Sequence, residues 1–215
     1  FGWLLPYLWR KCVDMAVNLV KGQKISLVKS SGGSLDSFCV GANWGAISTK
    51  GFFGGEKKEA VDLDLSVGLY DSNKKLVNCV YFGALQDAGI KHSGDDRTGD
   101  VDGDDGLDNE VVSIDLNAIS SNVDQLVFIL NSYGGQDFAT VPFASIRLYE
   151  GTPERVNNIV ATYDIASDSK FSGHVSMVLG KLYRRNGEWK FSAIGEPTKD
   201  KKLEQTLESV RTKFL

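Results

Sequence analysis

The chain has little of what soft-metal, redox or membrane chemistry requires. Three cysteines, Cys12, Cys39 and Cys79, are scattered through 215 residues without Cys-x-x-Cys spacing, and only two histidines, His92 and His174, are present. An odd, dispersed set argues against a disulfide framework and against zinc. Cys39 and Cys79 lie inside apolar runs and read as small buried hydrophobes in a reducing compartment. No run approaches the roughly 18 apolar residues that span a bilayer. The sequence also lacks a phosphate-binding glycine loop followed by Lys-Ser/Thr, a Gly-x-Ser-x-Gly elbow and a histidine-rich metal motif, so the usual signatures of phosphoryl transfer and hydrolysis are missing. No internal repeat or low-complexity tract is found.

Charge, in contrast, is concentrated. The chain carries 24 Lys+Arg and 28 Asp+Glu, a net of −4. Residues 92–110, HSGDDRTGDVDGDDGLDNE, hold eight carboxylates against the single cation Arg97, a net of −7, which leaves +3 for everything else. The acidity therefore marks a site and not a general habit such as a nucleic-acid mimic would show, and no nucleic-acid partner is expected.

The composition, 42% hydrophobic over 215 residues, supports one domain with a full core. Short apolar runs of period two, separated by Gly, Asn, Asp and Ser, predict strands at 24–28, 37–44, 61–70, 75–82, 111–116, 125–132, 144–150, 158–164, 174–183 and 188–194. Strand follows strand without helical periods, so an all-β antiparallel sandwich of two sheets is expected. Asn186-Gly187 suits a tight primed hairpin turn. Leu203, Leu207, Val210 and Phe214 recur at helical spacing and predict an amphipathic C-terminal helix over about 200–215, with Asp200 as a candidate cap. Residues 1–14, FGWLLPYLWRKCVD, have no strand period and lack the features of a signal peptide. They are expected to be an extension upstream of a start at Met15, with 15–215 as the single domain; a membrane-touching anchor is the alternative.

Eight carboxylates in one compact loop repel strongly: two unit charges about 6 Å apart cost roughly 0.7 kcal/mol in water and about 3 kcal/mol at an effective dielectric near 20. The loop is either solvated and disordered or ordered by a hard cation. Ca²⁺ takes six to eight oxygens in irregular geometry, and Gly94, Gly99, Gly103 and Gly106 would let backbone carbonyls join. An EF-hand register from Asp100 fails, because Asp105 stands where glycine is needed and Val111 where glutamate is needed. In the strand VDLDLS, Leu63, Leu65, Val67 and Leu69 line one face and Asp62, Asp64 and Ser66 the other. The two aspartates either face water or form the floor of a site closed by the acidic loop.

VDLDLS at 61–66, HSGDDRTGD followed by DGDD at 92–105, and NGEWKF at 186–191 together resemble the TerD family of calcium-binding stress proteins associated with tellurite resistance, most closely its TerZ branch. The resemblance covers about residues 15–194. It implies a β-sandwich that binds Ca²⁺, a non-enzymatic role, cytoplasmic location with peripheral attachment at the inner membrane as an option, and partners in a Ter-type stress complex. The ligand pool carried over by motif is Asp62, Asp64, Asp95, Asp96, Asp100, Asp102, Asp104, Asp105 and Glu110. The sequence departs from the family where Gly106-Leu107-Asp108-Asn109 intervenes before Glu110, so that Asp108 is a candidate substitute, and where Asn43-Trp44-Gly45 replaces Gly-Trp-Asp, leaving Asn43 as a possible amide ligand.

Beside these, His92 reads as a structural hydrogen-bonding residue, Arg97 as a neutraliser of the loop, and Trp44 and Trp189 as core. Phe52 and Phe53, between glycines and followed by lysines, read as a contact loop for a partner or an anionic membrane. The leading function is a calcium-dependent binding or adaptor module. The alternatives are a metal-dependent phosphoester hydrolase, which needs two cations about 3.5–4 Å apart, and a calcium-dependent carbohydrate binder, which needs an open coordination position beside an aromatic.

Overall fold

A computed structural model describes residues 17–18, 20–29, 31–50, 54–165 and 169–215. The expectations for residues 1–14, Met15, Cys12, Phe52 and Phe53 lie outside these residues. In chain order the strands are β1 Val17–Asn18, β2 Lys24–Ser26, β3 Ser37–Trp44, β4 Ile47–Lys50, β5 Glu56–Glu59, β6 Leu63–Tyr70, β7 Leu76–Val80, β8 Gln86–Asp87, β9 Ile90–His92, β10 Glu110–Asp115, β11 Gln125–Ser132, β12 Ala144–Thr152, β13 Arg155–Asp164, β14 Ser176–Arg185 and β15 Glu188–Thr198, followed by the helix α1 Leu203–Lys213.

Two sheets form the sandwich. The first runs β1-β13-β12-β3-β10-β9-β8, the second β2-β15-β14-β11-β6-β7, and β4 with β5 makes a separate ribbon. Pairing is antiparallel apart from β1 on β13. Between the sheets lies one core to which β3 contributes Phe38, Val40, Ala42 and Trp44, β6 contributes Leu63, Leu65, Val67 and Leu69, and β11 contributes Leu126, Phe128 and Leu130. Alternate residues point inward, as period two requires. The expected sandwich is therefore the observed one.

Some boundaries differ. β6 begins at Leu63, leaving Asp62 just before the strand, and β13 starts at Arg155. Register shifts at Leu148/Tyr149 and Glu150/Gly151 let β13 run alongside β12 where the apolar alternation is broken. The β14–β15 turn is as expected, with Asn186 at φ 54 and Gly187 at φ 80. α1 covers the outer face of the second sheet: Leu207 and Val210 pack with Tyr70, Val127, Ile129 and Val178, joined by Leu203 and Phe214. Tyr70 Oη donates to the Leu207 carbonyl at 3.0 Å. Asp200 does not cap the helix. Its N-cap is Lys202, with no side-chain hydrogen bond.

Candidate metal centre

Asp64 and Ser66 point away from the core on β6, yet they are only 7% and 0% exposed. They do not face water. β7 pairs with β6 only from Val67 to Tyr70, so the Leu65 peptide groups on that edge need other partners. Glu110 Oε2 accepts the Leu65 N–H at 2.7 Å, and His92 Nε2 donates to the Leu65 carbonyl at 2.9 Å. His92 Nδ1 accepts the Gly94 N–H at 3.1 Å, which assigns the proton to Nε2. Glu110 Oε1 accepts the Asp96 N–H at 3.2 Å. Both side chains are fully buried. Burial pushes the Glu110 carboxyl up, while His92 and the two N–H groups favour its anion. The pair stands on β10 and β9 of one sheet and seals an edge of the other.

After His92 the acidic loop divides its carboxylates. Asp95 joins Asp62 and Asp64, with one oxygen from each lying within 4.8 Å of the others. Asp96 turns the chain: its Oδ1 accepts from the Thr98 N–H at 2.8 Å, the Thr98 hydroxyl at 2.9 Å and the Gly99 N–H at 3.1 Å. Burial opposes its charge, but these bonds hold Asp96 below the usual carboxylate range. Gly99, at φ +64, lies where a Cβ would come within 2.5 Å of the Trp44 indole. The Asp100 N–H then donates to the Trp44 carbonyl at 2.9 Å, stitching the loop to the end of β3.

There the second group forms, from Asp100, Asp104 and Asp105. Asn43 Nδ2 donates to Asp104 Oδ1 at 3.0 Å. Asn109 Oδ1 accepts the Trp44 N–H at 2.8 Å, while its Nδ2 donates to Asp100 Oδ1 at 2.9 Å. Arg147 Nε on β12 donates to Asp108 Oδ1 at 2.8 Å. Asp108 lies against Gly41, whose absent side chain makes room for it. Four buried oxygens at the two groups have no hydrogen-bond donor from the described residues: Asp62 Oδ1 at the first, and Asn43 Oδ1, Asp100 Oδ2 and Asp108 Oδ2 at the second.

The electrostatics match this vacancy of donors. Asp64 is pushed up to about 7 by burial and by the charges of Glu110, Asp62 and Asp95. Burial also raises Asp62, with Asp95 and Glu110 adding to it, and raises Asp100. Asp108 is raised by burial in spite of Arg147. A bound cation reverses the local logic by favouring every carboxylate anion at once. Every donor is oxygen, and both nitrogens of His92 are engaged. The set fits a hard cation and not zinc.

Of the nine residues expected to bind metal, the structure gathers Asp62, Asp64 and Asp95 in one group and Asp100, Asp104 and Asp105 in another. Asp96 and Glu110 spend their oxygens on the scaffold, and Asp102 is exposed and belongs to neither group. Asn43 and Asp108, raised by the departures from the family pattern, lie outside the second group; Asn43 is bonded to its Asp104, and each keeps one oxygen without a donor among the described residues. Asn109 and Arg147 were not anticipated; nothing in their local sequence separates them from ordinary polar residues.

Comparison with known proteins decides the family. A family profile described as the TerD domain matches residues 15–209. The chain belongs to the TerD family. Among its relatives, stress response protein SCP2 of Bacillus subtilis (strain 168) is 35% identical over 205 residues, covering 90% of this chain and 98% of that protein. Tellurium resistance protein TerZ of Serratia marcescens is 33% identical, covering 87% and 93%. Tellurium resistance protein TerD of Serratia marcescens is 37% identical, covering 85% and 91%. A crystal structure of a homologue of telluride resistance protein (TerD) from Streptomyces coelicolor A3(2) superposes with a TM-score of 0.60 at 16% identity, covering 83% of this chain and 96% of that one. At that identity it supports the TerD-type fold alone.

Proposed function

We propose that this TerD-family protein is a non-catalytic, Ca²⁺-dependent binding or adaptor module of a bacterial stress and tellurium-resistance system. One observation carries the reading: each carboxylate group holds a buried oxygen with no donor among the described residues, Asp62 Oδ1 in the first and Asp100 Oδ2 in the second. Leaving such acceptors bare costs about 1–3 kcal/mol each, more when charged, and a cation removes that cost. Asp62, Asp64 and Asp95 would hold one ion, and Asp100, Asp104 and Asp105, with Asn43 and Asp108 at hand, a second. The ion supplies charge compensation; the chain supplies position, through Asp96, Asn109, Glu110 and His92. The two groups share no residue, in contrast to a hydrolytic pair of cations clamped on one substrate.

The partners that follow are other proteins of a Ter-type complex, with the cytoplasm or the inner face of the inner membrane as the working location. Among the described residues no helix is long and apolar enough to cross a membrane. Calorimetric titration of the metal-free chain tests the proposal. It should show two Ca²⁺ per chain, with Mg²⁺ binding much more weakly because it holds its waters and demands octahedral geometry. A silent calcium titration, or equal affinity for Mg²⁺, would sink the reading.

A further inference from the structure

Where α1 ends its cover of the second sheet, a cavity of about 470 Å³ opens beside Asp64. That volume is within the range of small-molecule sites. Its floor is the cross-strand pair Asp64 and Asn131. Asn131 is 6% exposed; its Nδ2 donates to Ser176 Oγ at 2.9 Å and Thr206 Oγ1 at 3.3 Å, while its Oδ1 is buried without a partner. So, after Asp62 Oδ1, a second oxygen without a donor among the described residues stands on the strand beside Asp64. Three carboxylates lending one oxygen each, with this amide, make four ligands, whereas Ca²⁺ takes six to eight. An ion held there would have positions left for an incoming molecule, and of the group Asp64, together with Asn131, lines the cavity.

The opposite wall is aromatic. Tyr133 is 70% exposed, a large ring left mostly in water. It is nevertheless propped: its ring stands edge-on to Phe82 at 6.1 Å, and Phe82 stands edge-on to Tyr81 at 5.3 Å. A ring already held in place loses little entropy when a ligand lands on it. The third wall is the uncapped N-terminus of α1, with Lys201, Lys202 and Glu204.

Charge selects the ligand. The group of three carboxylates that reaches the floor through Asp64 would carry −1 with one divalent cation, and the two lysines with one glutamate leave +1 on the wall. The loaded cavity is close to neutral overall, with acceptors on one side and donors on the other. A neutral molecule with many hydroxyls and one apolar face satisfies all three walls, whereas an anion would face the residual negative floor.

We propose that this cavity is a calcium-dependent site for a neutral polyol, a sugar ring whose vicinal hydroxyls complete the coordination at Asp62, Asp64 and Asp95 while its apolar face lies on Tyr133. The inference rests on the calcium reading above and extends it to a ligand class.

The test begins with a calcium titration of the full chain, and continues by calorimetry of the calcium-loaded protein with methyl α-D-mannopyranoside and methyl α-D-galactopyranoside, which offer vicinal hydroxyls in trans and in cis. At least one should bind, and EDTA should weaken it by more than about tenfold. Tyr133→Ala should weaken it roughly tenfold with calcium binding unchanged. The double variant Lys201→Ala, Lys202→Ala should change it by less than about threefold, since a neutral ligand draws little from a point charge. If calcium binds and neither sugar does, the inference falls alone; if calcium does not bind, both readings fall. Sugar binding that survives EDTA or Tyr133→Ala would overturn it. So would tight binding of phenyl phosphate that the lysine variant abolishes, which would make the cavity an anion site.

Discussion

Asp64→Asn should change stability in opposite directions with and without calcium. Asp64 is nearly buried, and in the metal-free protein burial together with Glu110, Asp62 and Asp95 pushes its carboxyl from 3.8 up to about 7. The folded chain thus holds this proton more tightly than the unfolded chain. Stability from this group is fully present below about 3.8 and is lost as pH rises through about 7. Each pH unit between those values costs about 1.4 kcal/mol, so from pH 5 to pH 8 the parent should lose about 2–3 kcal/mol that the neutral Asn variant keeps. In EDTA at pH 8 the variant should therefore be the more stable protein. In calcium at about 1,000 times the parent's Kd, one site adds roughly 4.1 kcal/mol to the parent, which the variant forgoes, and the order of stabilities should reverse. Urea denaturation at pH 5 and pH 8, in EDTA and in calcium, gives the four comparisons. A variant less stable than the parent in EDTA at pH 8 would show that Asp64 is satisfied without a cation, and the first site would lose its rationale.

Glu110→Gln replaces one accepting oxygen by an amide NH₂, so either the Leu65 or the Asp96 N–H must face a donor. It should cost about 2–3 kcal/mol in calcium and in EDTA alike, by the same denaturation assay, with calcium stoichiometry unchanged; loss of one ion at unaltered stability would make Glu110 a ligand after all. Gly41→Ala would place a methyl 2.1 Å from Asp108 Oδ2 and must displace that side chain. Calorimetry should show the second site weakened by about tenfold or more and the first untouched, and an equal loss at both would refute the separation of the two groups.

β6 was legible because Leu63, Leu65, Val67 and Leu69 alternate with Asp64, Ser66 and Gly68, and β3 and β11 because short, largely apolar runs are closed by Asn and polar residues. β4, β5, β8 and β9 were not, since two to four residues contain too little pattern, and the doubled β12–β13 irregularity hides the start of β13. The acidic loop drew attention by composition alone, as a candidate site for a cation. Composition could not say which acids gather and which brace the chain: Glu110 looks like its neighbours in sequence, and only the bare edge of β6 at Leu65, a consequence of β7 ending early, turns it into a strut.

Nor could composition show that the loop serves two sheets. Asp95 meets β6 of the second sheet, whereas Asp100 is fixed to Trp44 of β3 in the first, with Asp96 and Gly99 turning the chain between them. Of the loop's eight carboxylates, Asp95 thus goes to one place and Asp100, Asp104 and Asp105 to another, and they do not share one cluster. Each group draws at least one member or near neighbour from a strand or its flank, Asp64 in one case and Asn43 in the other. An ion at either place would tie a strand to the loop, and ions at both would tie the sheets to one another through it. Calcium-dependent stability should then exceed the sum of the effects of emptying each site alone, because the loop can anchor neither sheet once both ends are free.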